Sequence, residues 1–168
     1  MSEESKKIEF TKLIEENQGI VHKVCRIYTD DAMSHNDLFQ EIVLQLWKSY
    51  DSFKGDSKFS TWMYRVGINT AITLYRKKSR KPRIDRLDDH HFHIHSEERD
   101  ENVEFQIKML KKAINQLNDI ERALVLLYLE ELPYKEIAQT MGITEVNARV
   151  KMNRIKKKLK TMLNPYRP

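Results

Sequence analysis

A chain of 168 residues can form one ordinary domain or two small ones, and its 40% hydrophobic and 33% charged content with only 4 Gly and 4 Pro describes a soluble, helix-rich protein. The net charge of +5 and pI near 9.2 point to a polyanionic partner. A single cysteine, Cys25, excludes a disulfide framework and a four-cysteine zinc site, leaving packing as its role.

Apolar residues recur at helical spacing from Ile8 to Thr29 (Phe10, Leu13, Ile14, Ile20, Val21, Val24, Ile27), with a kink or break expected near Asn17 to Gly19. A polar stretch, Asp30 to Asn36, precedes a second helix from Asp37 to Tyr50, which places Leu38, Ile42, Leu46 and Trp47 on one face. The loop Asp51 to Ser57 carries Gly55. A third helix follows from about Lys58 to Lys81 and stops at Pro82, because the residue before a proline is pushed out of helical geometry. Phe59, Met63, Val66 and Thr70 are expected on its buried stripe. Arg65, Asn69 and Arg76 line another stripe beside Trp62, and the segment Arg76 to Arg83, including Lys77, holds six cations and no acid. Such a face suits a phosphate backbone, and aromatics beside cations can stack unpaired bases. A buried Trp62 with a solvated basic tail is the plainer account of the same residues.

Periodicity is lost from Pro82 to Asp100, a charged stretch containing His90, His91, His93 and His95 that is expected to be a flexible linker. Helical spacing returns near Glu101, where Val103, Ile107, Leu110, Ile114 and Leu117 draw one seam. Asn118 with Glu121 forms an N-cap and its third-position carboxylate, opening a helix over Ile120 to Glu130. Pro133 opens the helix Tyr134 to Met141, which Gly142 ends, and Thr144 caps a last helix from Glu145 to Leu163. The fold expected is all-α: two small helical domains, 1–81 and 101–168, joined by a linker over 82–100.

Between Glu145 and Pro168 stand eight Lys or Arg and one acid. Ala148, Met152, Ile155 and Leu159 share the buried side of the last helix, so Val146, Asn147, Val150, Lys151, Asn153, Arg154 and Lys157 are left for a ligand. Amides and small apolar groups can read base edges while cations grip phosphates. With the short helix and Gly142 before it, this is the pattern of a helix-turn-helix that binds duplex DNA.

Several spaced motifs, taken together, resemble small sigma-70 family factors of the extracytoplasmic-function (ECF) type. Region 2 is resembled by Asp37-Leu38-Phe39-Gln40-Glu41, by Phe59-Ser60-Thr61-Trp62-Met63-Tyr64-Arg65-Val66 and by Asn69-Thr70-Ala71. Region 4 is resembled by Leu117-Asn118-Asp119-Ile120-Glu121-Arg122, by Tyr134-Lys135-Glu136-Ile137-Ala138 and by Met141-Gly142-Ile143-Thr144-Glu145. The resemblance implies that Asp37, Gln40 and Glu41 dock on the β′ clamp helices of core RNA polymerase. It implies that the loop Phe53 to Phe59, with Trp62, Arg65, Asn69, Arg76 and Lys77, holds a melted −10 strand. It further implies that Thr144 and the outward residues of the last helix read a −35 duplex, that the second domain rests on the β flap, and that an anti-sigma factor regulates the protein. The chain departs from the family pattern at Asn147-Ala148, where Thr-Val is common, and at Val150, where a small polar residue is frequent, so the family's −35 preference does not transfer to it.

A stand-alone helix-turn-helix regulator would use Tyr134 to Lys160 but leave Asp37 to Arg83 without a task. A metal enzyme or sensor built on His90, His91, His93 and His95 is a third possibility, against which no zinc-hydrolase motif and no Gly-rich phosphate loop is found. No catalytic residue, cofactor or metal is therefore assigned. A charged start, Met1 to Lys7, and the lack of any apolar run of 18 residues lead us to expect no signal peptide, no membrane insertion and a cytoplasmic protein.

Overall fold

The computed structural model describes residues 1–79 and 100–166. Among them every regular element is helical, and the chain divides into two compact units, Met1–His90 and His91–Pro168. Residues 82–99 of the expected linker, its histidines, Arg80 to Arg83 and the stop at Pro82 lie outside the described residues, whereas Asp100 caps the helix that follows.

The first unit holds three helices that each pack on the other two: α1 (Glu3–Tyr28), α2 (Ala32–Ser49) and α3 (Phe59–Ser79). Helix α1 begins five residues before the expected Ile8. Ser2 caps it by accepting from the Ser5 amide at 3.2 Å, and Glu3 and Glu4 place negative charge where the helix dipole favours it. The expected break at Asn17 to Gly19 is absent. Gly19 is exposed with no side-chain neighbour within 4 Å, and Asn17 Nδ2 donates to the Leu13 carbonyl at 2.8 Å, so the helix runs through for 26 residues. Helix α2 also starts earlier than Asp37, because the Asp31 carboxylate caps it through the Ser34 amide at 2.7 Å.

Val21, Val24 and Cys25 of α1, Ile42 and Leu46 of α2, and Met63 and Ile68 of α3 fill the core of this unit. A Cβ placed on Gly67 would lie 3.4 Å from Val24 and 3.7 Å from Ile42, so bare α3 backbone occupies the point where the three helices meet. Burial pushes the Cys25 thiol up to about 12, as suits a packing residue. The buried side of α3 differs from the expected stripe. Of Phe59, Met63, Val66 and Thr70 only Met63 is in the core; the buried arc runs through Gly67, Ala71, Tyr64 and Ile68 to Ile72. A helix wedged between two neighbours buries about half its circumference, and a single stripe marks one margin of that arc.

His22 on α1 and His35 on α2 meet with Nδ1 and Nε2 2.9 Å apart, and Phe39 stacks on the His22 ring at 4.7 Å. Burial and the nearby Arg26 hold both rings below their usual pKa of 6.5, with the His22 charge a further cause at His35. Because the folded values are lowered, both rings are neutral in the fold at pH 7. Their contribution to stability is complete above pH 6.5 and declines as the pH falls below it, where the unfolded chain takes up protons first.

The second unit comprises α4 (Glu101–Asn115), α5 (Asp119–Leu129), α6 (Tyr134–Met141) and α7 (Glu145–Leu163). Asn118 and Glu121 form the expected capping box at α5. Pro133 occupies the N-cap of α6 rather than its first turn. Gly142 adopts φ +67°, and the Ile143 amide closes back onto the Ala138 carbonyl at 3.1 Å, ending α6 in a left-handed turn that a side chain would strain. In α4 burial begins only at Met109 and continues through Ala113 and Ile114 to Leu117 in the turn beyond it. Val103 and Ile107, expected on its seam, are 42% and 39% exposed, because this unit packs the C-terminal half of α4 and not its first turns.

Arg122, 7% exposed, reaches back from α5 to the end of α4, where its Nη2 donates to the Asn115 carbonyl at 2.6 Å and its Nε to the Leu117 carbonyl at 3.2 Å. A buried guanidinium thus satisfies carbonyls that the helix end leaves open.

Two outcomes are expected. Arg122→Ala should cost about 2–4 kcal/mol, measured as a fall in the urea midpoint, since it strands two carbonyls and leaves a void. Urea midpoints of the full chain should fall between pH 7.5 and 5.5, and a His22→Gln, His35→Gln double variant should flatten that dependence.

Candidate nucleic-acid interface

Helix α7 is placed by its own buried side. Ala148, Met152 and Ile155 are 0%, 2% and 3% exposed, and α7 packs on α4, α5 and α6. Leu159 is half-buried. At about 100° per residue this fixes Val146, Val150, Asn153 and Lys157 on the opposite side, with Asn147, Arg154 and Lys151 on the flank beside them. All are exposed except Lys151, which is half-buried. Thr144 begins the helix, its hydroxyl accepting from the Asn147 amide at 3.1 Å. Six of the eight residues expected to face DNA are thus brought together on the outward side of one helix, while Lys151 lies at its buried margin and Thr144 stands at its N-terminus, the positive end of the dipole.

Three of the basic residues on α7 are engaged by the fold. Lys158 Nζ lies 3.1 Å from Glu121, tying α7 to the start of α5. Arg149 pairs with Glu145 at 2.9 Å and lies 4.7 Å over the Tyr134 ring. Lys156 lies 4.2 Å over Tyr128, and the hydrogen bond to the Tyr128 hydroxyl raises its pKa. The cation contacts of Tyr128 and Tyr134 were not expected from sequence. Their signal is a tyrosine on each side of the Pro133 turn facing cations seven residues apart on α7.

On α3, Trp62, Arg65, Asn69 and Arg76 follow one another at spacings of three, four and seven, and Thr73 completes the series. Arg65, Asn69, Thr73 and Arg76 are exposed along this face, while Lys77 lies about 100° round the helix from Arg76. Trp62 is only 9% exposed. Its ring packs 5.2 Å from Phe53, 5.4 Å from Phe59 and 6.4 Å from Tyr50. It therefore stands behind the loop Phe53 to Phe59 as a wall and does not offer an open stacking face. Within that loop Gly55 adopts φ +80°, and Lys54 and Lys58 are exposed.

On α2, Asp37 and Gln40 are exposed and Glu41 is half-buried, its Oε1 accepting from Gln45 at 2.9 Å. Gln40 also borders an apolar groove of about 430 Å³ between α1 and α2, lined by Phe10, Phe39, Val43, Leu44 and Trp47 together with Lys7 and Thr11. Lys6 lies 5.0 Å over the Trp47 ring and pairs with Asp51. Among the described residues no group of three or more His, Cys, Asp or Glu could hold a metal, and no helix is long and apolar enough to cross a membrane.

The comparisons with known proteins follow this division. The model of sigma-70 region 2 matches residues 13–81, and that of sigma-70 region 4 matches residues 107–159. The ECF RNA polymerase sigma-E factor of Escherichia coli is 26% identical over 162 residues, covering 86% of this chain and 82% of its own length. That of Haemophilus influenzae is 26% identical over 141 residues, covering 77% and 74%. Among solved structures, the sigma factor RpoE of Bartonella quintana, in complex with the anti-sigma factor NepR, superposes with a TM-score of 0.72 at 19% identity, over 95% of this chain and 99% of that one. CnrH, in complex with the cytosolic domain of CnrY, gives 0.68 at 17% identity, over 95% and 90%. With both region models matched in order over most of its length, the chain belongs to the sigma-70 family, as a factor of the ECF type.

Proposed function

We propose that the chain is a transcription initiation factor that binds core RNA polymerase and directs it to promoters, region 2 holding a melted −10 strand and region 4 reading a −35 duplex. The observation that carries this proposal is the presence, in order on one chain, of a region 2 unit and a region 4 unit, each with an outward face of cations and amides. A stand-alone regulator would need only α6 and α7. The protein acts by binding and not by catalysis, since strand melting draws on binding energy, and its place of work is beside polymerase in the cytoplasm.

Residue by residue, Thr144, Val146, Asn147, Val150, Lys151, Asn153, Arg154 and Lys157 meet the −35 duplex. Arg65, Asn69, Arg76 and Lys77 meet the −10 strand, and Trp62 supports the loop Phe53 to Phe59 from behind. Asp37, Gln40 and Glu41 dock on the β′ clamp helices, carboxylates being the groups that an otherwise basic protein would present to a basic partner. Region 4 rests on the β flap. An anti-sigma factor would keep the protein from polymerase, as the complex of the similarly folded Bartonella quintana protein suggests.

Transcription from a genomic library by core RNA polymerase, with and without the chain, tests the function, and failure to bind core would sink it. Asp37→Lys with Glu41→Lys should weaken core binding. Arg154→Ala and Lys157→Ala should each weaken duplex binding and lower its dependence on log salt by about 1. Asn69→Ala should instead slow open-complex formation and leave duplex binding unchanged. If both classes of variant behaved alike, the two-surface assignment would be wrong.

A further inference from the structure

Two valines stand at the centre of the outward face of α7. Val146 is 71% exposed and Val150 41%, and they straddle the direction opposite buried Ala148, one helical turn apart. Single exposed apolar residues are ordinary. These two form a pair ringed by Asn147, Asn153, Arg154 and Lys157, on a helix half of whose exposed residues are cationic. For an isolated helix either position would be better served by Lys, Glu or Gln, which lose less freedom than a β-branched side chain and keep water satisfied.

We infer that Val146 and Val150 are specificity-determining residues that read thymine 5-methyl groups in the major groove of the −35 duplex. The inference rests on the proposal that α7 enters that groove. In the major groove only thymine presents a methyl, and an apolar side chain is its complement, whereas amides such as those of Asn147 and Asn153 match adenine. The surrounding cations supply the phosphate contacts that bring the apolar pair to the base edges and hold it there. The two Cα atoms lie about 6 Å apart along the axis. At a rise of about 3.4 Å per base pair, the methyls they read belong to base pairs no more than about two steps apart.

The test uses the chain bound to core RNA polymerase. Its preferred upstream duplex is selected from a random library, and each thymine of that element is then replaced singly by deoxyuridine, which removes only the 5-methyl group. Binding should weaken about fourfold at each of two positions, the value of one buried methyl, and be unchanged at the others. Val146→Ser should abolish the uridine effect at one position and Val150→Ser at the other; both sites are exposed, so the fold tolerates serine. Selection of a defined element that accepts deoxyuridine everywhere would overturn this inference and leave the −35 assignment standing. Uridine effects that persist unchanged in both serine variants would do the same. Failure to select any upstream element would overturn the −35 assignment and the inference with it.

Discussion

Which face α7 turns outward depends on how deeply Ala148, Met152 and Ile155 are buried. A helix offers its ligand only the residues that packing does not claim, and three nearly inaccessible side chains at helical spacing leave no freedom in which way α7 is turned. Around that stripe the rest of the second unit is arranged as support. Arg122 closes the end of α4, Asn118 and Glu121 open α5, and the left-handed turn at Gly142 delivers the chain to Thr144. Each device acts on backbone groups at a helix end, so the precision of the outward surface is built from satisfied caps as much as from apolar burial.

The first unit solves the same problem with different means. Its core is a meeting of three helices at Gly67, and its outward chemistry is split between α2, which carries carboxylates, and α3, which carries guanidinium and amide groups. Six aromatic rings, Phe10, Trp47, Tyr50, Phe53, Phe59 and Trp62, make consecutive contacts from α1 through the loop to α3. This chain of rings gives the short loop Phe53 to Phe59 a stiff backing, which is what a segment needs if it is to hold a single unpaired base in a fixed place.

How much was legible in the sequence follows from which signals are local. Helix α7 was readable to its ends because cap, periodicity and charge all lie within twenty residues and agree. The starts of α1 and α2 were not, because Glu3 to Lys7 and Ala32 to Asn36 offer no apolar periodicity: Met33 is 77% exposed, and His35, the buried residue of the second stretch, is polar. A polar first turn held by Ser2 or Asp31 resembles a loop when apolar spacing is the guide. The buried arc of α3 and the burial of Trp62 depend on which neighbours pack there, information that one helix does not contain. The pairing of His22 with His35, and of Tyr134 with Arg149, likewise joins residues on different helices. That the residues expected to bind on α7 and α3 are mostly exposed was legible for the complementary reason: once local periodicity has assigned the core, what remains is polar and cationic.

Cys25 carries a consequence for how such a factor could be controlled. The chain has a single sulfhydryl, fully enclosed between helices and with its pKa pushed up to about 12, so almost none of it exists as the thiolate that peroxides and disulfides attack. Thiol-directed oxidants therefore find no ready handle on Cys25, the one sulfhydryl of the chain. If its activity answers to such oxidants, the thiol chemistry of sensing takes place on another molecule, and the message reaches this one as a change in who is bound to it.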